Sequence, residues 1–173
     1  MSKVLYLTEQ EDDNVDYVIK SILSINEEDK NKISPSPIKL YINCYGGDVY
    51  PFLGLIDVIE ASETPVHTIT LGAAMSCAFL VALSGHKRFT YKNSTFMYHQ
   101  ISTGEWGTAK NLEEDLIETK RLQKIIENHV LTKSKITKKQ LSDNYNAKND
   151  WYINAEEALK YNIIDQIDRK STR

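Results

Sequence analysis

The stretch VHTITLGAAMSCAFLVALS, residues 66–84, contains the pattern that decides the fold class of this chain. Residues 66–70 are mostly β-branched and predict a buried strand, whereas the apolar run 76–83 predicts a short helix. Small residues at 72–74 allow the strand to turn tightly into the helix. A strand that passes directly into an apolar helix is typical of an α/β fold.

The same alternation of strand and helix continues on both sides of this stretch. Strands that alternate with helices predict a largely parallel sheet. The chain has 173 residues and shows no internal repeat or linker, so we expect a single domain over residues 1–173. The predicted strands lie at 4–7, 38–43, around 88–89, 96–98 and 163–167, and the predicted helices at 15–23, 52–59, 76–83, 111–131 and after a capping box at Asn154.

Composition and charge exclude several classes of protein. The chain carries 21 basic and 24 acidic side chains without a basic block, which disfavours binding to nucleic acid. Its two cysteines form no CxxC pair and its four histidines are scattered, so neither a disulfide framework nor a zinc site is expected. The longest apolar run, 71–83, is too short to cross a membrane, and the acidic N-terminus does not resemble a signal peptide. We therefore expect a cytoplasmic protein.

Ser76 stands where the buried strand turns into the helix, so its hydroxyl can face open space. The amide of Cys77 then lies at the helix N-terminus, which favours an anion. Gly46 and Gly47 follow the strand at 38–43 in the same way, and a glycine amide can approach a ligand closely. Two converging amides would form an oxyanion hole. Taken alone, such a serine is more often a helix cap, and such a glycine pair a turn.

His99 ends the strand-like run FMYHQ, and Asp150 precedes the bulky residues WYI. Serine, histidine and a carboxylate are the side chains that nucleophilic catalysis of acyl transfer requires. Each signal is weak alone, because a histidine at a strand end is more often structural and an isolated Asp is read as a turn residue. A cysteine nucleophile is disfavoured, because no motif places a histidine near Cys44 or Cys77.

Four segments taken in order resemble the ClpP family, the proteolytic subunits of Clp proteases. They are IKLYINCYGG (38–47), LGAAMSCAFLVALSGHKRF (71–89), NSTFMYHQ (93–100) and NDWYINAEEALKYNIIDQI (149–167). The resemblance covers about residues 3–168. It implies the ClpP/crotonase-like α/β fold, with a strand–helix handle over about residues 100–133, and it implies neither a cofactor nor a metal.

The resemblance also implies the role of each site residue. Ser76 matches the nucleophile, His99 the general base and Asp150 the carboxylate that orients it; Asp143 or Asp165 would take that place if the C-terminal alignment shifted. The amides of Gly47 and Cys77 match the oxyanion-hole donors. The substrate is expected to add as an extended strand beside two backbone segments. The residues expected to contact it are Gly46, Asp48, Val49, Ile101, Ser102 and Thr103.

The same resemblance implies a homo-oligomer of two stacked seven-membered rings, a polypeptide substrate and a Clp ATPase as partner. Several positions depart from the family pattern. The chain begins at the first strand, so the loop expected at the axial pore is short. Lys39 and Ser62 replace aromatic residues expected in the ATPase pocket, although Tyr41 is retained, and Asn149 replaces an arginine expected between rings. We therefore expect weak or divergent docking of the ATPase.

Three other functions share parts of this pattern. A non-catalytic ring subunit would usually lose the serine or the histidine, and a crotonase-type acyl-CoA enzyme would lack the Ser-His-Asp set. A bacteriophage protease that matures capsid proteins without an ATPase is the third, since this compact, Asn- and Lys-rich chain is similar to the divergent copies that bacteriophages carry. The intact set of Ser76, His99 and Asp150 favours an active serine endopeptidase.

Overall fold

The computed structural model describes residues 3–8, 12–104 and 106–168. These residues form seven strands and six helices that alternate along most of the chain. In order, they are β1 (Val4–Thr8), α1 (Asp12–Asp29), β2 (Ile38–Cys44), α2 (Val49–Ala61), β3 (Val66–Met75), α3 (Cys77–Ser84), β4 (Lys87–Tyr91), β5 (Thr95–Tyr98), α4 (Ala109–Lys133), α5 (Lys138–Ala147), β6 (Trp151–Asn154), α6 (Ala155–Lys160) and β7 (Gln166–Asp168).

All strands belong to one sheet with the order β1-β2-β3-β4-β7. These neighbours pair in parallel. Strand β5 also pairs in parallel, but only with the C-terminal end of β3, and β6 pairs with β5 in antiparallel orientation. The prediction of an α/β fold with a largely parallel sheet is therefore confirmed, and β5 and β6 form a short branch of that sheet at the end of β3.

The core lies between one face of the sheet and helices α1 to α3. Strand β2 shows the alternation that produces it, since Ile38, Leu40 and Ile42 are buried while Lys39 is exposed. Helix α3 is buried along its whole length, as its apolar sequence predicts. A nucleophile placed at the start of α3 therefore stands on a rigid, closely packed support.

Several element boundaries differ from the prediction for identifiable reasons. Helix α1 continues to Asp29, beyond the predicted end at 23, because Ile25 continues the buried apolar face formed by Val18 and Ile22. The final strand is 166–168 and not 163–167, because Ile163 and Ile164 are buried in the turn that follows α6. Helix α5 and strand β6 were not predicted, since α5 buries a single residue and β6 is only four residues long.

Helix α4 divides into a packed half and an exposed half. Leu122, Ile126 and Val130 are buried, whereas Leu112 and Leu116, predicted on the same side, are exposed. The strand expected before α4 is not formed, since residues 101–104 and 106–108 lie outside helices and strands. A strand needs a pairing partner, and no strand among residues 3–8, 12–104 and 106–168 pairs with that segment. No helix in the described parts of the chain is long and apolar enough to span a membrane. The assignment of residues 1–173 to one domain stays a prediction.

Candidate active site

The backbone at Ser76 is held in a conformation that residues with a side chain rarely adopt. Ser76 has φ 53° and ψ −126°, and it separates the end of β3 from the start of α3. Its N–H donates to the carbonyl of Met97 on the neighbouring strand at 2.9 Å. Such strain persists only where the surrounding structure enforces it, and it is typical of serines exposed on a sharp strand-to-helix turn.

Gly46 packs directly against this turn. It has φ +97°, and a Cβ at this position would lie 2.8 Å from the Ser76 Cβ and 2.9 Å from the Met75 carbonyl oxygen. Only glycine fits there without displacing the serine. Burial raises the pKa of the Cys77 thiol, and the nearby backbone of the next residue, Gly47, partly offsets that rise. The backbone of Gly47 and the first turn of α3 therefore lie side by side, next to the Ser76 hydroxyl.

Asn43 supports the same turn from β2, a role that the sequence analysis did not assign. Its side-chain oxygen accepts the Ala73 N–H at 3.1 Å and lies against Gly72, which has φ +68°. The pairing of β2 with β3 shifts register between Ile42 and Cys44 at this point. The sequence feature that could have indicated this role is a polar residue at the end of a buried strand, three positions before Gly46. Asn43 thus fixes the bulge from which the chain reaches Ser76.

His99 connects the serine to a carboxylate. Its Nε2 lies 2.8 Å from the Ser76 Oγ, and its Nδ1 lies 3.6 Å from an oxygen of Asp150. The antiparallel pairing of β5 with β6 explains this placement, because Tyr98 pairs with Trp151, and His99 and Asp150 are the next residues outward. The structure brings all three predicted side chains together.

The alternative carboxylates are engaged elsewhere. Asp165 forms an ion pair with Arg88 at 2.6 Å, and Asp143 forms one with Lys139 at 2.5 Å. The contact of Asp150 with His99 is comparatively open, since the Asp150 side chain is 53% exposed and that of His99 26%. The carboxylate therefore reaches the imidazole from the solvent side.

Cys44 and Cys77 are both buried thiols that form no disulfide. Burial raises the pKa of the Cys77 thiol to about 11 and also raises the pKa of Cys44. A thiol with such a pKa is protonated at neutral pH and is a poor nucleophile. This agrees with the expectation that a cysteine does not replace Ser76. The described residues contain no group of three or more His, Cys, Asp and Glu side chains that could hold a metal ion.

Ser76 and His99 face a cavity of about 430 Å³ whose walls are largely apolar. A second cavity of about 450 Å³ continues from it along α4 and shares four lining residues with it. Five of the six residues predicted to contact substrate line these cavities, while Gly46 lies behind them against the serine turn. The other lining residues of the first cavity are not among the predicted site residues; they are Tyr45, Met75, Leu80, Met97, Tyr98 and Ile126.

The residues expected to form one ATPase pocket are separated in this chain. Lys39 and Tyr41 line a cavity on the outer face of the sheet, together with His67 and Phe89. Ser62 lines a different cavity, where its hydroxyl donates to the Thr64 carbonyl. Within one chain, Ser62 and the pair Lys39 and Tyr41 therefore line two different cavities.

An α/β fold with a strained serine beside a histidine and a carboxylate is typical of hydrolases that form acyl-enzymes. The sequence model of the Clp protease family matches residues 1–171. A protein of Deinococcus radiodurans named ATP-dependent Clp protease proteolytic subunit is 34% identical over 132 residues, which is 75% of this chain and 64% of that relative, less than two thirds of its length. Proteins of the same name are 32% identical in Streptococcus mutans and 30% identical in Dehalococcoides mccartyi, covering 95% and 97% of this chain and 84% and 82% of those relatives.

The chain therefore belongs to the Clp protease family, as the sequence motifs indicated. The relatives and the family together indicate a Clp protease proteolytic subunit, which is a protease. They do not favour a crotonase-type enzyme, a non-catalytic subunit or a capsid-maturation protease.

Proposed function

We propose that this chain is a serine endopeptidase that hydrolyses peptide bonds of unfolded proteins and peptides. The observation that carries this proposal is the distance of 2.8 Å between the His99 Nε2 and the Ser76 Oγ. His99 takes the Ser76 proton as Oγ attacks the carbonyl carbon, and then returns it to the amine that leaves. Water then attacks the acyl carbon while His99 takes its proton, and His99 returns that proton to the Ser76 Oγ as the carboxylic acid product leaves. Asp150 holds the Nδ1–H tautomer and stabilises the imidazolium.

The amides of Gly47 and Cys77 would stabilise the oxyanion that forms during attack. Their support is the close packing of the glycine pair against Ser76 and the position of Cys77 as first residue of α3. A helix N-terminus carries partial positive charge, and amides fixed before reaction need no reorganisation when charge develops. We expect these donors to contribute most when water is excluded by bound substrate.

The substrate would lie as an extended strand between residues 47–49 and 101–103. The two cavities are continuous between these segments, which gives room for several substrate residues on either side of Ser76. Leu80, Met97 and Ile126 form apolar walls near the serine, so an apolar side chain fits next to the scissile bond. Pairing through backbone groups reads sequence only weakly, as a protease of unfolded chains requires.

We also propose that the chain acts as a homo-oligomer of two stacked seven-membered rings. Leu112, Leu116 and Ile117 are exposed in the first half of α4, although large apolar side chains on one helix are normally covered. The relatives are named proteolytic subunits of an ATP-dependent protease, which supports a Clp ATPase as partner. The outer-face cavity beside Tyr41 is the proposed docking site, and the exposed charge of Lys39 weakens it relative to an aromatic residue.

A fluorophosphonate probe tests the proposed chemistry. The probe is expected to label the wild-type chain at Ser76, and Ser76→Ala is expected to abolish labelling and to lower peptide turnover at least ~10⁴-fold. Ser142→Ala, which changes an exposed serine on α5, is the matched control and should label and cleave like wild type. Labelling that persists in Ser76→Ala would overturn the assignment. Native mass measurement of the same samples gives the number of subunits.

A further inference from the structure

Gln123 on α4 is a buried polar residue that the proposed chemistry does not use. It is 8% exposed, on a turn of the helix that otherwise buries Leu122 and Ile126. A buried amide is retained at low cost only when its hydrogen bonds are made. Gln123 makes three of them, so its position and orientation are strongly determined.

These hydrogen bonds connect α4 to the chain on both sides of His99. The Gln123 oxygen accepts the N–H of Ile101 at 2.9 Å. Its amide nitrogen donates to the Tyr98 hydroxyl at 3.3 Å and to the Glu127 carboxylate at 2.9 Å. Residues 99–104 belong to no helix or strand, so the bond to Ile101 supplies an anchor that strand pairing does not.

The anchored segment is one wall of the cleft. Ile101 and Ser102 line both cavities, opposite Gly47 and Val49. In an extended chain, successive residues present their backbone groups in opposite directions. If the N–H of Ile101 is directed at α4, the backbone N–H of Ser102 is directed away from α4 and is available to a peptide in the cleft.

We infer that Gln123 is a positioning residue that aligns segment 99–103 for pairing with the substrate strand. This inference rests on the proposed function, since it concerns how that substrate is bound. Gln123 does not touch the reacting atoms, and it acts through Ile101. Its loss therefore weakens binding of an extended peptide, while the Ser76–His99 pair keeps its geometry.

Helix α4 contacts the opposite wall as well, but less firmly. Glu118 accepts a hydrogen bond from the Tyr50 hydroxyl at 2.6 Å and is itself paired with Arg121. Both side chains of this pair are more than a third exposed, and so is Tyr50. Solvent screens such contacts strongly, whereas the hydrogen bond from the Ile101 N–H to the Gln123 oxygen is partly buried. Gln123 is therefore the stronger of the two connections.

Two substitutions separate hydrogen bonding from packing. Gln123→Met keeps the volume and the helix propensity but removes the acceptor for the Ile101 N–H. Gln123→Glu keeps the acceptor for the Ile101 N–H. The introduced carboxyl group and the Glu127 carboxylate can share one proton, which keeps the hydrogen bond between these two side chains. A packing role predicts that Met is tolerated and that Glu, which adds charge to a buried site, is harmful. A positioning role predicts the reverse order.

The experiment compares cleavage of an extended peptide with labelling by a fluorophosphonate, which needs no strand pairing. We expect Gln123→Met to raise KM about tenfold, the effect of one buried hydrogen bond, with kcat and the labelling rate within about twofold of wild type. Gln123→Glu is expected to stay within about threefold of wild type in KM. Lys124→Met, which changes an exposed neighbour on the same helix, is the matched control and should leave all three values unchanged.

The outcomes distinguish this inference from the proposed function. Absence of labelling and cleavage in the wild-type protein would overturn the proposed function itself. A labelled, active wild type with an unchanged KM in Gln123→Met would overturn only the role of Gln123. If Gln123→Met does not fold, Gln123→Glu decides: a KM within about threefold of wild type supports the inference, and a tenfold rise contradicts it.

Discussion

The turn at Ser76 and the segment at Asp150 contribute to the same row of three side chains, Ser76, His99 and Asp150. The surrounding structure holds the two ends of this row very differently. Ser76 stands on a helix that is buried along its whole length, with Gly46 packed against it. Asp150 follows α5, which buries only Leu141, and its side chain is 53% exposed. The residue between them in the row, His99, lies 2.8 Å from the serine oxygen and 3.6 Å from the carboxylate.

This difference separates two parts of the mechanism. The proposed nucleophile and base are positioned by the core of a single chain, which is close-packed and leaves little room for adjustment. The carboxylate is positioned by a surface segment, which is held by a hydrogen bond from the Asn144 side chain to the Asn149 carbonyl. In the proposed ring assembly, the carboxylate is therefore the part of the row that a neighbouring subunit can influence.

The largest effect is expected at the buried end of the row, in Gly46→Ala. The added Cβ would meet the Ser76 Cβ at 2.8 Å, and the φ of +97° is unfavourable for alanine. We expect peptide turnover to fall about 10³-fold, since a shift of the serine by 1 Å alone can cost 10²-fold, and the free energy of unfolding to fall by about 1–3 kcal/mol.

Gly54→Ala on α2 is the matched control for this change. A Cβ there meets nothing closer than 3.8 Å, so we expect unchanged turnover and a gain of about 0.5–1 kcal/mol in unfolding free energy. Full activity in Gly46→Ala would show that the serine turn tolerates displacement. It would contradict the contrast between the rigid support of Ser76 and the exposed support of Asp150.

A smaller effect is expected at the exposed end, in Asp150→Asn. Asparagine keeps the shape but does not stabilise the imidazolium, and in a buried triad this change costs about 10⁴-fold. Because solvent already weakens the contact between Asp150 and His99, we expect a loss of about 10²-fold in kcat, measured with a short peptide.

Asp143→Asn, which changes an exposed carboxylate paired with Lys139, should leave turnover unchanged. A loss of 10⁴-fold in Asp150→Asn would mean that the carboxylate closes onto His99 in the active assembly. Essentiality of Asp143 instead of Asp150 would contradict the assignment of the carboxylate.

The last prediction concerns the Cys77 thiol beside Ser76, which takes no part in the proposed chemistry. Because burial raises the pKa of Cys77 to about 11, the thiol is neutral over a wider pH range than a free cysteine, whose pKa is ~8.5. We expect alkylation of Cys77 by iodoacetamide, mapped by mass spectrometry, to be at least about 100-fold slower than for free cysteine at pH 7. The rate should rise about tenfold per pH unit up to about pH 11. Rapid alkylation at neutral pH would contradict a buried, protonated thiol.

Local patterns were sufficient to predict the elements around the nucleophile. The capping box at Asn154 is confirmed, with the Asn154 side chain accepting from the Glu157 N–H. Helix α5 was missed because its sequence is mostly polar, although Thr137 and Gln140 form a capping box that marks its start. Strand β6 was missed because four residues carry too little periodicity to be distinguished from a loop.

By itself, the sequence determined the alternation of strands and helices, the place of Ser76 at a strand-to-helix turn, and the family to which the chain belongs. Hydrophobic period and small residues act over a few neighbouring positions, so they can be read without coordinates. The resemblance pointed to Asp150, but only the tertiary structure showed that its carboxylate, and not that of Asp143 or Asp165, lies beside His99, and that Gln123 anchors Ile101. Both depend on strand register and helix packing between segments that are far apart in the chain, and a shift of one residue in the pairing of β5 with β6 would move Asp150 away from His99.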